Sequence, residues 1–265
     1  MLNKLARAFG FSRHSSYLLS AFLLTCGLIV YIWWPLVAEY FSTYDPRFAW
    51  YLYIDWLLIG IFSFMSLSIM VHANLSRDGL IVLVGIFGGL VIESWGTQTN
   101  LWHYYTAERP PLWIIPAWPI ASLSIDRIAR SLMHLSVKWK AAWFRPAYWF
   151  IFLAFYILML SYIAPTLNKS YSLAALLICA LFILTPTNYR MAVFTFLAGS
   201  ALGYFLELWG TTRECWLYYT GETPPIFAVF AHGMAAVAFW RTGLLMQTAW
   251  QFIKERRALL WPNLS

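Results

Sequence analysis

Hydrophobic positions along this chain fall into long runs separated by short polar stretches, and several runs approach the length a helix needs to cross a bilayer core, about 20 apolar residues. The runs predict spans at 17–39, 48–71, 79–95, 112–135, 146–164, 170–186, 190–207 and 225–250. The first run follows Lys4, Arg7 and Arg13, and it is too long for the apolar core of a cleavable leader. A retained first helix is therefore expected. The predicted fold class is an all-α integral membrane protein of about eight transmembrane helices.

Composition supports a lipid environment. Of 265 residues, 61% are hydrophobic, 20% aromatic and only 11% charged. Soluble chains carry about a quarter charged residues, so this one has too few to coat a water-facing surface. Basic residues in short loops stay preferentially in the cytoplasm, and fourteen of the 18 Lys and Arg fall on one side of the predicted spans. Only Arg47, Arg109, Lys169 and Arg213 fall on the other. Both termini are expected in the cytoplasm, with the loops after spans 1, 3, 5 and 7 outside. The expected location is a bacterial inner (cytoplasmic) membrane. The net charge of +7 follows from this bias, and attraction to anionic headgroups explains it without nucleic acid. Cys26, Cys179 and Cys215 show no paired spacing that suggests a disulfide framework or zinc site.

An internal repeat carries the unusual residues. At a constant offset of 114, eleven of nineteen positions in 93–111 recur in 207–225: Glu93/Glu207, Trp95/Trp209, Gly96/Gly210, Thr97/Thr211, Trp102/Trp216, Tyr104/Tyr218, Tyr105/Tyr219, Thr106/Thr220, Glu108/Glu222, Pro110/Pro224 and Pro111/Pro225. Gly85/Gly199, Gly89/Gly203, Ala117/Ala231 and Arg127/Arg241 keep the same offset. The expected organisation is a cytoplasmic basic N-terminus (1–16), a first four-helix repeat (17–135), a cytoplasmic basic linker (136–145), a second four-helix repeat (146–250) and a basic tail (251–265). An even number of spans per copy gives both copies one orientation, related by a parallel pseudo-two-fold axis along the membrane normal.

Gly85 and Gly89, like Gly199 and Gly203, have the small-xxx-small spacing that lets membrane helices approach closely. Glu93 and Glu207 lie four residues further on and share that broad helix face. If spans 3 and 7 are nearest the axis, the two glutamates meet at the outer edge of the bilayer. Two such carboxyls cannot both ionise easily, so one is expected to keep its proton and to serve as an acid.

Trp95, Trp102, Tyr104, Tyr105 and Trp118, with Trp209, Trp216, Tyr218 and Tyr219, are candidates to line a pocket whose ring faces stabilise positive charge. The competing reading is interfacial anchoring. Thr97, Thr211 and His232 complete the candidate substrate-binding set. Asp55, whose offset partner is Lys169, is either a further acid or the partner of a loop residue. Asp126, Arg127 and Arg130 read as a snorkelling salt-bridge cluster. His232 stands where the first copy has Trp118, and this is where the duplicated sites are expected to diverge. A metal site from His103, His232 and the glutamates is a weaker alternative, because no HxxxH or ExxH spacing supports it. No nucleotide-binding, nucleophile-elbow or haem motif occurs. No cofactor or metal is expected.

Glu93, Gly96-Thr97, Thr99, Tyr104-Tyr105-Thr106, Pro116 and Trp118 stand in an order that resembles the membrane-embedded carotenoid biosynthesis proteins of the hydratase type, although Trp102-His103 replaces a Phe-Gly. The resemblance implies acid catalysis on an isoprenoid chain: Glu93 or Glu207 protonates a double bond, aromatic faces hold the carbocation, and hydration or isomerisation follows, a lyase or isomerase activity. The alternatives are a lipid, quinone or other lipophilic-ligand binder or carrier, and a partner subunit of a membrane complex. Expected partners are the bilayer and a lipophilic small molecule, with a protein partner or homo-oligomer left open.

Overall fold

In the computed structural model, residues 10–186 and 188–260 are described, with side chains to 256. Lys4, Arg7, Arg257 and the end of the basic tail lie outside the described side chains.

Among the described residues the protein is all-helical apart from two three-residue strands. In chain order the helices are α1 (Arg13–Ile32), α2 (Trp34–Ser42), α3 (Trp56–Met70), α4 (Leu75–Thr99), α5 (Ala117–Leu135), α6 (Phe144–Ile163), α7 (Ser170–Ile183), α8 (Tyr189–Thr212) and α9 (Ile226–Leu260). Strands β1 (Trp102–Tyr104) and β2 (Trp216–Tyr218) follow α4 and α8.

A helix stands at each predicted run, but their lengths differ. Five segments are long and apolar enough to cross a membrane: Arg13–Ile32, Leu75–Thr99, Ala141–Thr166, Tyr189–Thr212 and Ile226–Arg256. Helices α3 and α7 are apolar but have only 15 and 14 residues, about 21–23 Å at 1.5 Å per residue. Helix α5 has 19 residues and carries Asp126, Arg127 and Arg130. The run at 48–71 shortens because Asp55 caps α3, accepting from the Leu58 N–H at 3.1 Å. The preceding Trp50–Tyr53 forms a separate 3-10 turn.

Contacts between helix ends fix an alternating course. Ser15, at the start of α1, donates to the Met70 carbonyl at the end of α3 (2.8 Å). Arg127, just past the middle of α5, reaches the Val71 carbonyl just beyond α3 (2.8 Å). Arg190, at the start of α8, reaches the Ser136 carbonyl just past α5 (2.8 Å), and Tyr148 of α6 donates to the Ile183 carbonyl of α7. These four contacts lie at one end of the bundle, and the strands lie at the other.

The sequence expectation that spans 3 and 7 form the central pair is not met. The principal neighbours of α4 are α5 and α9, and those of α8 are α9 and α5. The small-residue faces explain this: a Cβ on Gly85 would come within 2.8 Å of the Pro119 Cα, and one on Gly199 within 2.8 Å of the Gly233 Cα. The glycines thus seat the following helix of the same copy rather than each other. Helix α8 is the most enclosed, with 61% of its apolar window buried against 22–33% in the other four long segments.

The expected snorkelling cluster is also different. Arg127 is 6% exposed and bonds Asp78 (2.7 Å), itself 2% exposed, as well as Asp126 (3.0 Å). Asp78 sits in the first turn of α4, so the guanidinium finds an interior partner and has no need to reach headgroups.

Candidate functional site

Two motif copies meet at the strand end of the bundle. Strands β1 and β2 pair antiparallel, with Trp102 opposite Tyr218, His103 opposite Leu217 and Tyr104 opposite Trp216. The pairing extends on both sides, from the Tyr219 N–H to the Leu101 carbonyl (3.0 Å) and from the Tyr105 N–H to the Cys215 carbonyl (3.2 Å). The two motif loops therefore form one small sheet. Alternation along each strand sends the Trp and Tyr side chains to the same face, two residues apart.

That face meets the glutamates. Glu93 Oε2 accepts from Trp102 Nε1 (3.1 Å), and Glu93 Oε1 accepts from the Tyr104 hydroxyl (3.0 Å) and Trp118 Nε1 (3.1 Å). Glu207 Oε2 accepts from Trp216 Nε1 (2.8 Å), and Glu207 Oε1 bonds the Tyr218 hydroxyl (2.8 Å) and His232 Nε2 (2.8 Å). The carboxyls are 3% and 4% exposed. A buried carboxyl is tolerated in such a place only when its oxygens are satisfied, and here each receives a strand Trp, a strand Tyr and a residue of the next helix. The Trp102 and Trp216 rings lie flat over Gly96 and Gly210, where any Cβ would collide with them.

The two centres are joined through aromatic rings. Trp118 and His232 stack at 5.8 Å and 17°, while Trp102 with Tyr218 and Tyr104 with Trp216 are each 5.9 Å apart. Glu93 and Glu207 are linked by Trp118 and His232, rather than through a direct meeting of α4 and α8. Burial and then the neighbouring glutamates push the Tyr104 and Tyr218 phenols well above their ordinary value.

Both carboxyls wall one cavity of about 510 Å³, within the range of small-molecule sites. Trp95, Trp102, Tyr104, Trp118, Trp209, Trp216, Tyr218 and His232 line it too. Its far reach is apolar, between α4, α7 and α9, and Met246 on that wall stands about 21 Å beyond His232 along α9. Phe87, Val91 and Ile178 line this reach and are exposed on the outside of the bundle, so the cavity opens sideways rather than only toward the sheet.

Other candidates stand elsewhere. Thr97 and Thr211 donate to the Glu93 and Glu207 carbonyls, both at 2.6 Å. Tyr105 donates to the Ile32 carbonyl and Tyr219 to the Tyr162 carbonyl (2.6 Å), tying each loop to the end of α1 or α6. Asp55 takes the loop-partner role: it accepts from Arg213 Nε (3.1 Å) and from Trp209 Nε1 (2.8 Å). At the offset position Lys169 donates to the Thr99 carbonyl (2.9 Å). Trp95 donates to Ser172 at 3.4 Å. Among the described residues, no three His, Cys, Asp or Glu side chains stand close enough to hold a metal ion.

Trp33 was not legible as a site residue. It follows α1, lines the cavity, stacks on Trp209 (5.4 Å, 20°) and meets Trp113 edge-on (5.3 Å). The repeat has no copy of it, so a search for recurrence passes over it.

No protein-family model, curated protein or solved structure matches the chain.

Proposed function

We propose that the chain is a membrane-embedded enzyme that binds a lipophilic, isoprenoid-type molecule in this cavity and moves a proton to or from one of its double bonds. The observation that carries the reading is the joining of two carboxyl centres, each held by the same donor types, to one apolar and laterally open cavity. In the hydration sense, a carboxyl proton is given to one alkene carbon and the π pair forms the new C–H bond. The neighbouring carbon becomes cationic, facing tryptophan and tyrosine rings that stabilise it. A water adds there, and the proton it sheds returns to the carboxyl. Loss of a neighbouring proton instead gives the isomer.

The architecture that goes with this reading is two tandem four-helix copies, eight membrane-embedded helices in all, related by a pseudo-two-fold axis along the membrane normal. The alternating helix ends support it, as do the paired strands and the recurrence of Asn74 and Asn188 as caps of α4 and α8. The distribution of Lys and Arg supports cytoplasmic termini and an outward-facing sheet.

One observation favours a second reading, a carrier or binder. Both oxygens of Glu93 accept from indole N–H groups, which can only donate, so this carboxyl is built to anchor as well as to react.

The test is purification from native membrane into nanodiscs, followed by mass spectrometry of the co-purifying lipids. The wild type is expected to retain a polyene or other isoprenoid and to convert it to a product heavier by one water, or to an isomer. A Glu93→Gln, Glu207→Gln double variant is expected to retain the ligand without converting it. Loss of retention in the variant moves the case to the carrier reading. Bulk phospholipid alone in both samples overturns the isoprenoid assignment.

A further inference from the structure

We infer that the two carboxyl centres have divided the work: Glu207 with His232 forms the proton-handling pair, and Glu93 with Trp118 forms a fixed brace. This deepens the proposed function and rests on its reading of the cavity as a place of proton transfer.

The division follows from one position. At the third donor to each carboxyl, the first copy has the Trp118 indole (3.1 Å to Glu93 Oε1) and the second has the His232 imidazole (2.8 Å to Glu207 Oε1). The other two donors are the same in both copies, so this substitution is the only chemical difference in the carboxyls' direct partners. An indole N–H donates and never titrates, and the neutral Tyr104 hydroxyl donates as well, which leaves Glu93 without a direct partner that can take its proton. An imidazole changes charge around neutral pH and has a second nitrogen.

The surroundings make that second nitrogen useful. The only side-chain hydrogen bond of His232 among the described residues is the one through Nε2, so Nδ1 is left without a protein partner. The His232 side chain is 20% exposed against 5% for Glu207, and its ring lines the cavity. It can pass a proton between Glu207 and a molecule bound there. The stacked Trp118 ring lies against the imidazole at 5.8 Å, and its π face can support positive charge that passes through the ring. Trp118 thus serves both centres, as donor to one and as support for the charge of the other.

Other titratable groups on the same cavity are Cys26 from α1, Glu93 from α4, Tyr104 and Tyr218 from the strands, and Cys179 from α7, while α5 contributes none and its polar group there is the Trp118 indole. Tyr162 of α6 stands beside Tyr218 at 6.3 Å. Arg213, at the strand end of α8, is bound to Asp55. The anions facing His232 are therefore the glutamates, and Glu207 is the one in contact.

The experiment is nitrogen NMR of labelled imidazole in nanodiscs, with His232→Gln assigning the signal. Gln keeps an N–H donor for Glu207 but is no acid or base, and thermal melting verifies that the variants fold. The expected result is a His232 Nε2 signal that shifts when its hydrogen-bond partner is changed in Glu207→Gln and stays within error in Glu93→Gln. This readout needs no substrate, so it stands or falls apart from the isoprenoid assignment. Where turnover is measured, His232→Gln is expected to lower it by about 100-fold or more while ligand retention persists, and Trp118→Phe to lower it far less. A His232 signal that responds equally to both glutamate variants, or turnover that survives His232→Gln, overturns the division.

Discussion

At the scale of single residues, the site is an exercise in satisfying a buried carboxyl with side chains that the sequence places at fixed distances. Trp102→Phe and Trp216→Phe each remove an indole donor, leaving one carboxyl oxygen short of a partner at a cost of about 1–3 kcal/mol. Both variants are expected to melt at lower temperature in detergent, and unchanged melting would show that these bonds contribute nothing. Gly96→Ala drives a methyl group into the Trp102 ring and is expected to cost a comparable 1–3 kcal/mol or so. The tyrosines give a pH test. Burial and the glutamates raise the folded-state values of Tyr104 and Tyr218, so their contribution to stability is fully present below the ordinary phenol value and is lost as pH rises through the raised one. In an alkaline absorbance titration of the 16 tyrosines, a fraction is expected to ionise only as the fold is lost. Uniform ionisation of the native protein would contradict that. The carboxyls and their strand donors were readable because duplication printed them twice. Tyr105 and Tyr219 were equally visible but misplaced as pocket residues, because recurrence marks a constrained position without saying whether a ligand or a backbone carbonyl imposes the constraint.

At the scale of elements, apolar runs locate helices well and measure them poorly. The run at 48–71 looks like one span, yet Asp55 accepts the Leu58 N–H and starts α3 at Trp56. Lys169 holds the corresponding position before α7. Neither effect is visible to a hydropathy count, since each depends on a polar side chain turned back toward the backbone or a neighbouring loop. The same applies to α5, where Arg127 looks like a residue seeking headgroups until α4 brings Asp78 to it. The second copy has Ala192 at the position of Asp78, and Arg241 bonds the Thr185 hydroxyl at 3.3 Å instead. Arg127 keeps Asp126 when Asp78 is changed, so Asp78→Asn weakens the buried cluster without stranding its cation and is expected to destabilise by about 1–3 kcal/mol. Arg241→Ala, at the half-buried counterpart, is expected to cost less, and denaturation midpoints of the two variants decide between this and an equal role.

At the scale of the whole molecule, the two motif loops lie at the same end of the bundle, and this is what allows β1 and β2 to pair and one cavity to border two carboxyls. An inverted second copy would place its loop on the opposite face. The orientation is therefore part of the chemistry, and it is testable with a membrane-impermeant maleimide in a background whose native cysteines are replaced by alanine. Glu222→Cys, in the exposed loop after β2, is expected to label in intact cells, whereas Lys138→Cys, between α5 and α6, is expected to label only after permeabilisation. The reverse pattern would turn the cavity's polar end toward the cytoplasm and change the side from which water reaches it. Cys215 provides an internal control: it is 2% exposed, and burial pushes its thiol up to about 12, so in the wild type it is expected to resist the reagent until the paired strands open. Labelling of native Cys215 at neutral pH would mean that the sheet separates readily, and the carboxyls beneath it would then meet water from above instead of reacting in an enclosed site.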